Sequence, residues 1–417
     1  MVQWLIGHIL VVVAVAVPLV LIIFGAMWLG KKGSLLGTKS VVGLDIGSSH
    51  VKAVQLRRIG KSGIELERFG MAQIYPDGDK KAAGTDEQNA RVAAIRRAMS
   101  EAHISAKHTI SSVSGESIIV RYIQLPNMPE EEIRNALRWE AEEYIPFAID
   151  DVNLDSIILG RSEDGEKVDV LLVSAKKDLV NAHLDLIRAA GLTPQIVDVD
   201  SFAFMNCFEV NYTPALTDTV ALVNIGAEIT SINIYVGGVS RCARDISIAG
   251  NAITRNIQAK LSIEWPQAER MKIQEGAPEP VEEAAALGED ASLLDTIRGT
   301  VERITGEDLG EDSTEAVAGR VIRNTLGNLV GEIRRSIQYF ENQPNGQAVQ
   351  KVVIGGGTAQ MHNLDRFLSR ELNLPVEVID PLRRIAIKGR DLNTTLLESS
   401  KLMLGVGIGL ALRKVVE

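Results

Sequence analysis

The stretch VVGLDIGSSHVKAVQL, residues 41–56, contains two apolar β-type runs joined by a Gly-Ser-Ser turn. Asp45 lies ahead of this turn and Lys52 lies after it. Glycine and serine favour tight turns between strands, so the pattern predicts a hairpin. Glycine also lets an anionic ligand approach the backbone N–H groups closely. Taken alone, the stretch leaves two alternatives open, an ordinary hairpin and a phosphate-binding turn.

A second stretch of the chain repeats this pattern. VALVNIGAEITSINIY, residues 220–235, aligns with the first stretch so that Asn224 matches Asp45 and Gly226 matches Gly47. Each stretch is predicted to form a strand, an Asp/Asn-x-Gly turn and a second strand, which indicates an internal duplication. Two such turns from opposite halves of the molecule would form a clamp around a triphosphate.

A third glycine motif follows later, in KVVIGGGTAQMHNL, residues 351–364. A strand, a glycine turn and a helix N-terminus in succession suit the close approach of a flat or anionic ligand. Competing nucleotide motifs do not match. The GKS of residues 60–62 resembles the end of a Walker A loop, but Gln55 occupies the position of its first glycine. No G-x-G-x-x-G fingerprint follows the first strand.

The rest of the chain after residue 40 alternates strand and helix patterns, which predicts an α/β architecture. For example, residues 168–175 read as a buried strand and residues 176–191 as a helix ending at Gly191. Residues 127–147, NMPEEEIRNALRWEAEEYIPF, predict a helix with Pro129 at its first position and Pro146 ending it. Its predicted apolar face consists of Ile133, Leu137, Ala141 and Tyr144.

The first thirty residues form a separate unit. Residues 4–30 contain no Asp, Glu, Lys or Arg and exceed the roughly 20 apolar residues that cross a bilayer. A signal peptide is disfavoured because no basic residue precedes this run, which is also too long. Lys31, Lys32 and Lys39 follow it, so the positive-inside rule places the remainder of the chain in the cytoplasm. We expect a transmembrane anchor at 1–30 and a linker at 31–40.

Overall charge and cysteine content exclude two classes of function. The net charge of -10 argues against nucleic-acid binding, which needs a cationic surface. The chain has two cysteines, Cys207 and Cys242, which are far apart and predict neither a disulfide framework nor a thiolate metal site. The acidic tract at 264–315 predicts a solvated helical insertion or a flexible loop.

The three glycine motifs resemble those of the actin-like ATPase superfamily. GLDIGSSHVKAV is similar to its first phosphate motif, LVNIGAEITSINI to its second, and VVIGGGTAQMHNL to its adenosine motif. A narrower resemblance, carried by VRYIQLPNMPEEEIRNALRWEAEEYIPFAIDDVNLD and by GVGIGLALR near the end, is to the PilM family of type IV pilus assembly proteins. This resemblance covers residues 40–413 and favours the PilM family over its cell-division relative FtsA.

This resemblance implies an actin-like, ribonuclease H-like duplicated α/β fold with two domains around a nucleotide cleft and an FtsA-like inserted subdomain. Domain 1 would comprise residues 41–198, with the inserted subdomain at about 75–172. Domain 2 would comprise 199–385, with the acidic insertion at about 264–320. Residues 386–417 would return to domain 1.

The resemblance also implies ATP and Mg²⁺ as cofactors. Asp45 would hold the Mg²⁺ ion of the nucleotide through a water molecule. The implied cofactor-binding residues are Asp45, Gly47, Ser48, Ser49, Lys52, Asn224, Gly226, Thr230, Glu269, Lys272, Gly355, Gly356 and Thr358.

The resemblance assigns roles to these residues. The turn at residues 47–49 would line the phosphates, with Lys52 paired to them as a point charge. Gly226 and Thr230 would contact the γ-phosphate side. The glycines of residues 355–356 and Thr358 would approach the adenosine.

Glu269 and Lys272 match a position where relatives touch the ribose or base, although an exposed i,i+3 helix pair explains them equally well. The second phosphate motif usually begins with Asp, whereas this chain has Asn224, which disfavours rapid hydrolysis without excluding nucleotide binding. No catalytic residue is assigned. Asp198 and Asp200 are candidates, but a structural role, where a strand ends and a helix starts, explains them equally well.

The function that this implies is a membrane-anchored cytoplasmic scaffold of the type IV pilus inner-membrane complex, and at most a weak ATPase. Its expected partners are the N-terminal peptide of a PilN-like inner-membrane protein and other assembly and motor components, with self-association left open. The anchor is a departure, since PilM-like proteins are generally soluble. The alternatives are a sugar-kinase-type ATP phosphotransferase and an FtsA-like membrane-anchored filament protein.

Overall fold

The computed structural model describes most of the chain after residue 40. The described residues are 41–60, 63–75, 86–161, 164–278, 313–343, 346–389 and 392–415. The predicted anchor at 1–30, the linker at 31–40 and residues 279–312 of the acidic tract lie outside the described residues.

The described residues form fourteen strands and ten α-helices. The strands are β1 (Val41–Ile46), β2 (His50–Ile59), β3 (Gly63–Gln73), β4 (His108–Val113), β5 (Ile118–Pro126), β6 (Val152–Arg161), β7 (Lys167–Lys176), β8 (Thr193–Val199), β9 (Thr219–Ile225), β10 (Thr230–Val236), β11 (Val239–Ile246), β12 (Lys351–Gly355), β13 (Val376–Val378) and β14 (Ile385–Ile387). The α-helices are α1 (Glu87–Glu101), α2 (Glu130–Tyr144), α3 (Lys177–Ala189), α4 (Asp200–Tyr212), α5 (Gly250–Leu261), α6 (Trp265–Glu275), α7 (Thr314–Glu341), α8 (Leu364–Leu372), α9 (Thr394–Ser400) and α10 (Gly405–Val415).

Two sheets of matching topology form the body of the protein. The first has the order β14-β3-β2-β1-β4-β8 and the second the order β11-β10-β9-β12-β13. In each, an antiparallel hairpin is followed by strands that run parallel to its first strand. Asp45 lies opposite Lys52 in the first hairpin and Asn224 lies opposite Ser231 in the second, so both hairpins have the same register. This shared register is the structural form of the duplication in the sequence.

A third, smaller sheet has the order β5-β7-β6 and is antiparallel. It is inserted between β4 and α3, and α2 packs on it through Ile133, Leu137 and Ala141. The inserted sheet begins at Ile118, well after the predicted subdomain boundary at about 75 in the range 75–172, because β4 is a strand of the first sheet and α1 packs against that sheet.

The helix α2 differs from its prediction in two details. Pro129 precedes the helix as its N-cap instead of occupying the first helical position. Tyr144, predicted to lie on the apolar face, is an exposed side chain at the end of the helix. Ile145, the next residue, is buried and adopts an extended backbone, which ends the helix before Pro146.

The C-terminal helix α10 packs against β1 and α4 at very short range. A Cβ atom on Gly43 would lie 2.2 Å from the carbonyl oxygen of Gly407, and one on Gly409 would lie 1.7 Å from that of Ala203. Only glycine fits at these positions, because any side chain atom would overlap the neighbouring backbone. Within the described residues, Thr394–Val415 is the one stretch long and apolar enough to span a membrane, and 61% of its apolar 18-residue window is buried in the protein.

Candidate functional site

The first hairpin turn holds a charged pair beside an open backbone. Lys52 Nζ lies 3.1 Å from Asp45 Oδ2, because the hairpin register sets the two residues opposite one another. Both residues are largely buried, with exposed fractions of 9% for Lys52 and 6% for Asp45. The Gly47 N–H donates to His50 O at 3.1 Å, and a Cβ on Gly47 would lie 3.0 Å from that oxygen. Glycine therefore keeps this turn tight and its outer face uncovered.

The second hairpin turn reproduces this backbone geometry without the charges. The Gly226 N–H donates to Ile229 O at 3.0 Å, and a Cβ on Gly226 would lie 2.8 Å from that oxygen. Asn224 and Ser231 occupy the positions that correspond to Asp45 and Lys52. The two turns therefore have the same shape and differ in electrostatics.

The third glycine motif is bonded directly to the second turn. Gly356 has a φ of +89°, and a Cβ there would lie 2.4 Å from Ile225 O, so this position requires glycine. The Thr358 hydroxyl donates to Gly226 O at 2.8 Å. Thr358 therefore fixes the position of the turn, and its hydroxyl already has a protein partner.

The predicted pair on α6 belongs to a hydrogen-bonded group in the cleft wall. Lys272 Nζ lies 2.7 Å from Glu269 Oε1 and 3.0 Å from Thr254 Oγ1. The Thr254 hydroxyl donates to Glu269 Oε2 at 2.5 Å. Lys272 is buried, so the alternative of an exposed helix pair does not describe it.

These elements surround one cleft of about 620 Å³ between the two large sheets. Eleven of the thirteen predicted residues line it. They are Asp45, Gly47, Ser48, Ser49, Lys52, Asn224, Gly226, Glu269, Lys272, Gly356 and Thr358.

The other two predicted residues lie outside the cleft lining. Thr230 is fully buried in β10 and its hydroxyl donates to Ile248 O at 2.7 Å. Gly355 faces the core, where a Cβ would lie 2.6 Å from the Phe204 ring. Strand alternation turns Thr230 to the opposite face from its neighbour Ser231, which lines the cleft. Gly355 pairs with Asn224 on the cleft side of the sheet, but the Phe204 ring covers it.

The structure separates the two carboxyl groups that the sequence left equivalent. Asp200, at the start of α4, lines the cleft and accepts a hydrogen bond from Ser112 Oγ at 2.6 Å. Burial, and then the nearby charge of Asp45, raise the pKa of Asp200 to about 7. Asp198 points away and forms a buried ion pair with Arg413 of α10. Asp200 therefore joins Asp45 and Glu269 as a carboxyl group of the cleft, and Asp198 has a packing role.

A further carboxyl group joins the small inserted sheet to the cleft. Asp245 of β11 accepts a hydrogen bond from the Gly115 N–H at 2.6 Å, and also bonds Ser231 in the cleft wall. Burial raises the pKa of Asp245. The neighbouring Ser114 bonds Asp200. The segment that leads into the inserted sheet is thus hydrogen-bonded to both sides of the cleft.

Several cleft residues were not found from the sequence. Arg91 of α1, Ser112 of β4 and His183 of α3 reach the cleft from elements that carry no local motif. Burial lowers the pKa of His183 and of His50 to about 4, so both imidazoles are neutral near pH 7. A signal existed only for Ser112, since β4 lies beside β1 and ends at the same edge of the sheet.

Comparisons with known proteins agree with this architecture. A family model described as type IV pilus assembly protein PilM matches residues 43–287 and 306–415. The solved structure of a PilM-PilN type IV pilus biogenesis complex matches with a TM-score of 0.70 at 26% identity, covering 90% of this chain and 98% of that chain.

Cell division proteins FtsA are also similar in sequence. FtsA of Escherichia coli (strain K12) is 24% identical over 380 residues, covering 82% of this chain and 84% of FtsA. FtsA of Pseudomonas aeruginosa is 26% identical over 373 residues, covering 83% and 84%. The predicted α/β actin-like fold is confirmed, and the chain belongs to the type IV pilus assembly protein PilM family.

Proposed function

We propose that this chain is an ATP-binding scaffold of the type IV pilus assembly machinery, anchored in the inner membrane by residues 4–30, with its bulk in the cytoplasm. The observation that carries the proposal is that the Gly47 and Gly226 turns, equal in register, line one cleft. A single glycine turn has an ordinary explanation. Here two matched turns and a third glycine motif surround a cleft of about 620 Å³, which has room for a nucleotide.

The charges of the cleft suit a triphosphate. Lys52, Arg91 and Lys272 supply positive charge, of which Lys52 is paired with Asp45 and Lys272 with Glu269. The two histidines are neutral, and Asn224 adds no negative charge to the second turn. Lys52 would pair with phosphate oxygens as a point charge, and the N–H groups of the first turn would donate to them. The cleft of this chain would hold ATP at its phosphates from both sheets.

The residues present fit a Mg²⁺ ion that arrives with ATP. Asp45 lines the cleft and pairs with Lys52 through Oδ2, and its carboxylate would accept a hydrogen bond from a metal-bound water. No group of three or more His, Cys, Asp or Glu side chains in the described residues could hold a metal ion by itself. That agrees with a metal held mainly by phosphates and water, which would offset phosphate charge.

The partner that we propose is the N-terminal peptide of a PilN-like protein. Support comes from the family and from the similarity to a PilM-PilN complex. The inserted sheet β5-β7-β6 is where we expect the peptide to bind, near α2. Ser114 bonds the cleft residue Asp200, and Gly115 bonds Asp245, which in turn bonds Ser231 of the cleft wall, so the same segment would transmit nucleotide occupancy to the inserted sheet.

A second candidate function is phosphoryl transfer from ATP, and Asp200 favours it. A carboxyl group with a pKa near 7 beside the phosphates is suited to act as a general base toward water or a substrate hydroxyl. Asn224 of the second turn opposes rapid turnover, because a neutral amide cannot replace a carboxylate as a metal partner or general base. We expect slow hydrolysis at most, abolished by Asp200→Asn.

The test of ATP binding is a titration of the full-length chain in lipid nanodiscs with ATP and Mg²⁺. Lys52→Ala and Asp45→Ala should each weaken binding at least tenfold, whereas Lys260→Ala, an exposed cation on α5, serves as the matched control. Unchanged affinity in both cleft variants would refute the phosphate clamp.

A peptide-capture experiment separates the scaffold from the phosphotransferase. The same nanodisc samples are incubated with an immobilised peptide from the cytoplasmic N-terminus of a PilN-like protein, with and without ATP. A scaffold retains the peptide, and a phosphotransferase has no reason to do so.

A further inference from the structure

We infer that the end of the first sheet opposite the cleft is a docking surface for anionic phospholipid headgroups of the bilayer. This inference rests on the proposed membrane anchor. The surface consists of the β2–β3 hairpin tip, Arg57, Arg58 and Ile59, together with Lys107 ahead of β4.

The strand registers bring these residues to one sheet end. Val41 pairs with His108, so Lys107 lies beside the point at which the chain enters β1. Val42 pairs with Gln55, and β2 continues to Ile59, where it pairs with Gly63. The hairpin tip therefore extends past the start of β1 by about three residues, roughly 10 Å. The cleft lies beyond Ile46, at the other end of the same strand.

The chemistry of this sheet end is basic and partly apolar. Arg57, Arg58 and Lys107 are exposed, and Ile59 is 39% exposed beside them. The buried Glu65 forms an ion pair with Arg57 at 2.9 Å, which holds the guanidinium in place at the surface. A cationic surface with an adjacent apolar side chain fits the headgroup region of an anionic membrane.

The short linker after the proposed membrane span is the reason for choosing the bilayer as the ligand of this surface. The predicted span ends at Gly30, and the ten linker residues at 31–40 reach at most about 35 Å even when fully extended. The chain enters the described structure at Val41, so this sheet end is held within that distance of the bilayer.

Electrostatics orient the body once it is tethered. The chain carries a net charge of -10, so an anionic surface repels most of the protein within a Debye length of about 8–10 Å. The exposed cations of this sheet end are attracted to that surface. Tethered in this way, the body presents the sheet end to lipid and its cleft to the cytoplasm.

The test is hydrogen exchange of the full-length chain in nanodiscs of phosphatidylglycerol or of phosphatidylcholine. Amides of residues 56–60 should exchange at least fivefold more slowly in the anionic nanodiscs, and 0.5 M salt should remove the difference. Equal exchange in the two lipids overturns the inference.

A charge-reversed variant, Arg58→Glu with Lys107→Glu, should also lose the difference, since each cation changes the docking equilibrium about fivefold. Arg57 is kept because its loss would leave Glu65 buried without its partner. The matched control is Lys260→Glu with Arg366→Glu, two exposed cations elsewhere, which should leave the difference intact. Retained slow exchange in the first variant contradicts the inference, as does its loss in the control.

The same samples distinguish this inference from the proposed function. ATP affinity and peptide capture are measured on the nanodisc-bound protein and do not depend on lipid charge. If the chain inserts and binds ATP but its hairpin tip exchanges equally in both lipids, the docking surface alone is refuted.

Discussion

Lys52 Nζ lies 3.1 Å from Asp45 Oδ2 across the first hairpin, whereas the corresponding residues of the second hairpin, Ser231 and Asn224, are both uncharged. The duplication thus preserved backbone shape and changed the charge. The first hairpin carries an ion pair that a ligand can rearrange. The second hairpin offers neutral hydrogen-bonding groups.

The ion pair predicts a non-additive effect on stability. Lys52→Met should lower the free energy of unfolding by about 2 kcal/mol or more without nucleotide, because it leaves the Asp45 carboxylate buried without a partner. The double variant Asp45→Asn, Lys52→Met should be more stable than Lys52→Met alone. Urea unfolding measures this, and a double variant less stable than the single one would contradict the prediction.

The raised pKa of Asp200 predicts a pH dependence. The folded protein retains this proton up to a pH of about 7, whereas the ordinary value is 3.8, so the contribution of Asp200 to stability is lost as pH rises from about 4 to 7. Asp200→Asn should therefore be more stable than the unchanged protein at pH 8, by roughly 1–3 kcal/mol, and equal to it near pH 4.

Thermal unfolding at several pH values tests the Asp200 prediction. Other buried acids, such as Glu209, with a pKa raised to about 7, are common to both proteins, so the difference between the two curves isolates Asp200. A difference that does not vary with pH would show that Asp200 does not titrate in this range.

The hydroxyl of Thr358 is predicted to act on nucleotide binding through the second turn. Thr358→Val removes the hydrogen bond to Gly226 O and should weaken ATP binding about tenfold, with a stability loss of about 1 kcal/mol. Ser399→Ala is the control, because that hydroxyl is exposed and bonds within its own helix. Equal ATP affinity in both variants would show that the bond does not position the turn.

Alanine substitution at two helix glycines, Gly409 and Gly327, should change the stability of the protein in opposite directions. Gly409→Ala should destabilise the protein severely, because its Cβ would lie 1.7 Å from Ala203 O. Gly327→Ala on α7 should stabilise it by up to about 1 kcal/mol, since no atom lies within 4 Å of the added Cβ. Thermal unfolding of the two variants measures both effects, and a tolerated Gly409→Ala would contradict the close packing of α10.

The sequence was sufficient to predict the repeated hairpins and eleven of the cleft residues. These features could be predicted because a strand, a glycine turn and a second strand form a short, recognisable pattern in the sequence. Asp200 and Asp198 show where this reasoning ends. Asp198 lies near the end of β8 and Asp200 begins α4, and only the packing of α10, which brings Arg413 to Asp198, distinguishes the two carboxyl groups.

Two other features depended on tertiary structure. The extent of the inserted subdomain, about 75–172, was overestimated, because β4 joins the first sheet and α1 packs on it through contacts that no local pattern encodes. Arg91 and His183 reach the cleft from separate helices, so their role depends on how those helices pack. Thr230 and Gly355 belong to the predicted motifs and yet lie outside the cleft lining, because Thr230 is buried on the opposite face of its strand and Phe204 covers Gly355.

The most direct test of the two-jaw cleft is hydrogen exchange of the full-length chain with and without ATP and Mg²⁺. The nucleotide should slow amide exchange together in residues 47–52, residues 226–231 and residues 356–358, since all three segments line the cleft. Protection confined to one of the three segments, or absent from all of them, would contradict the account.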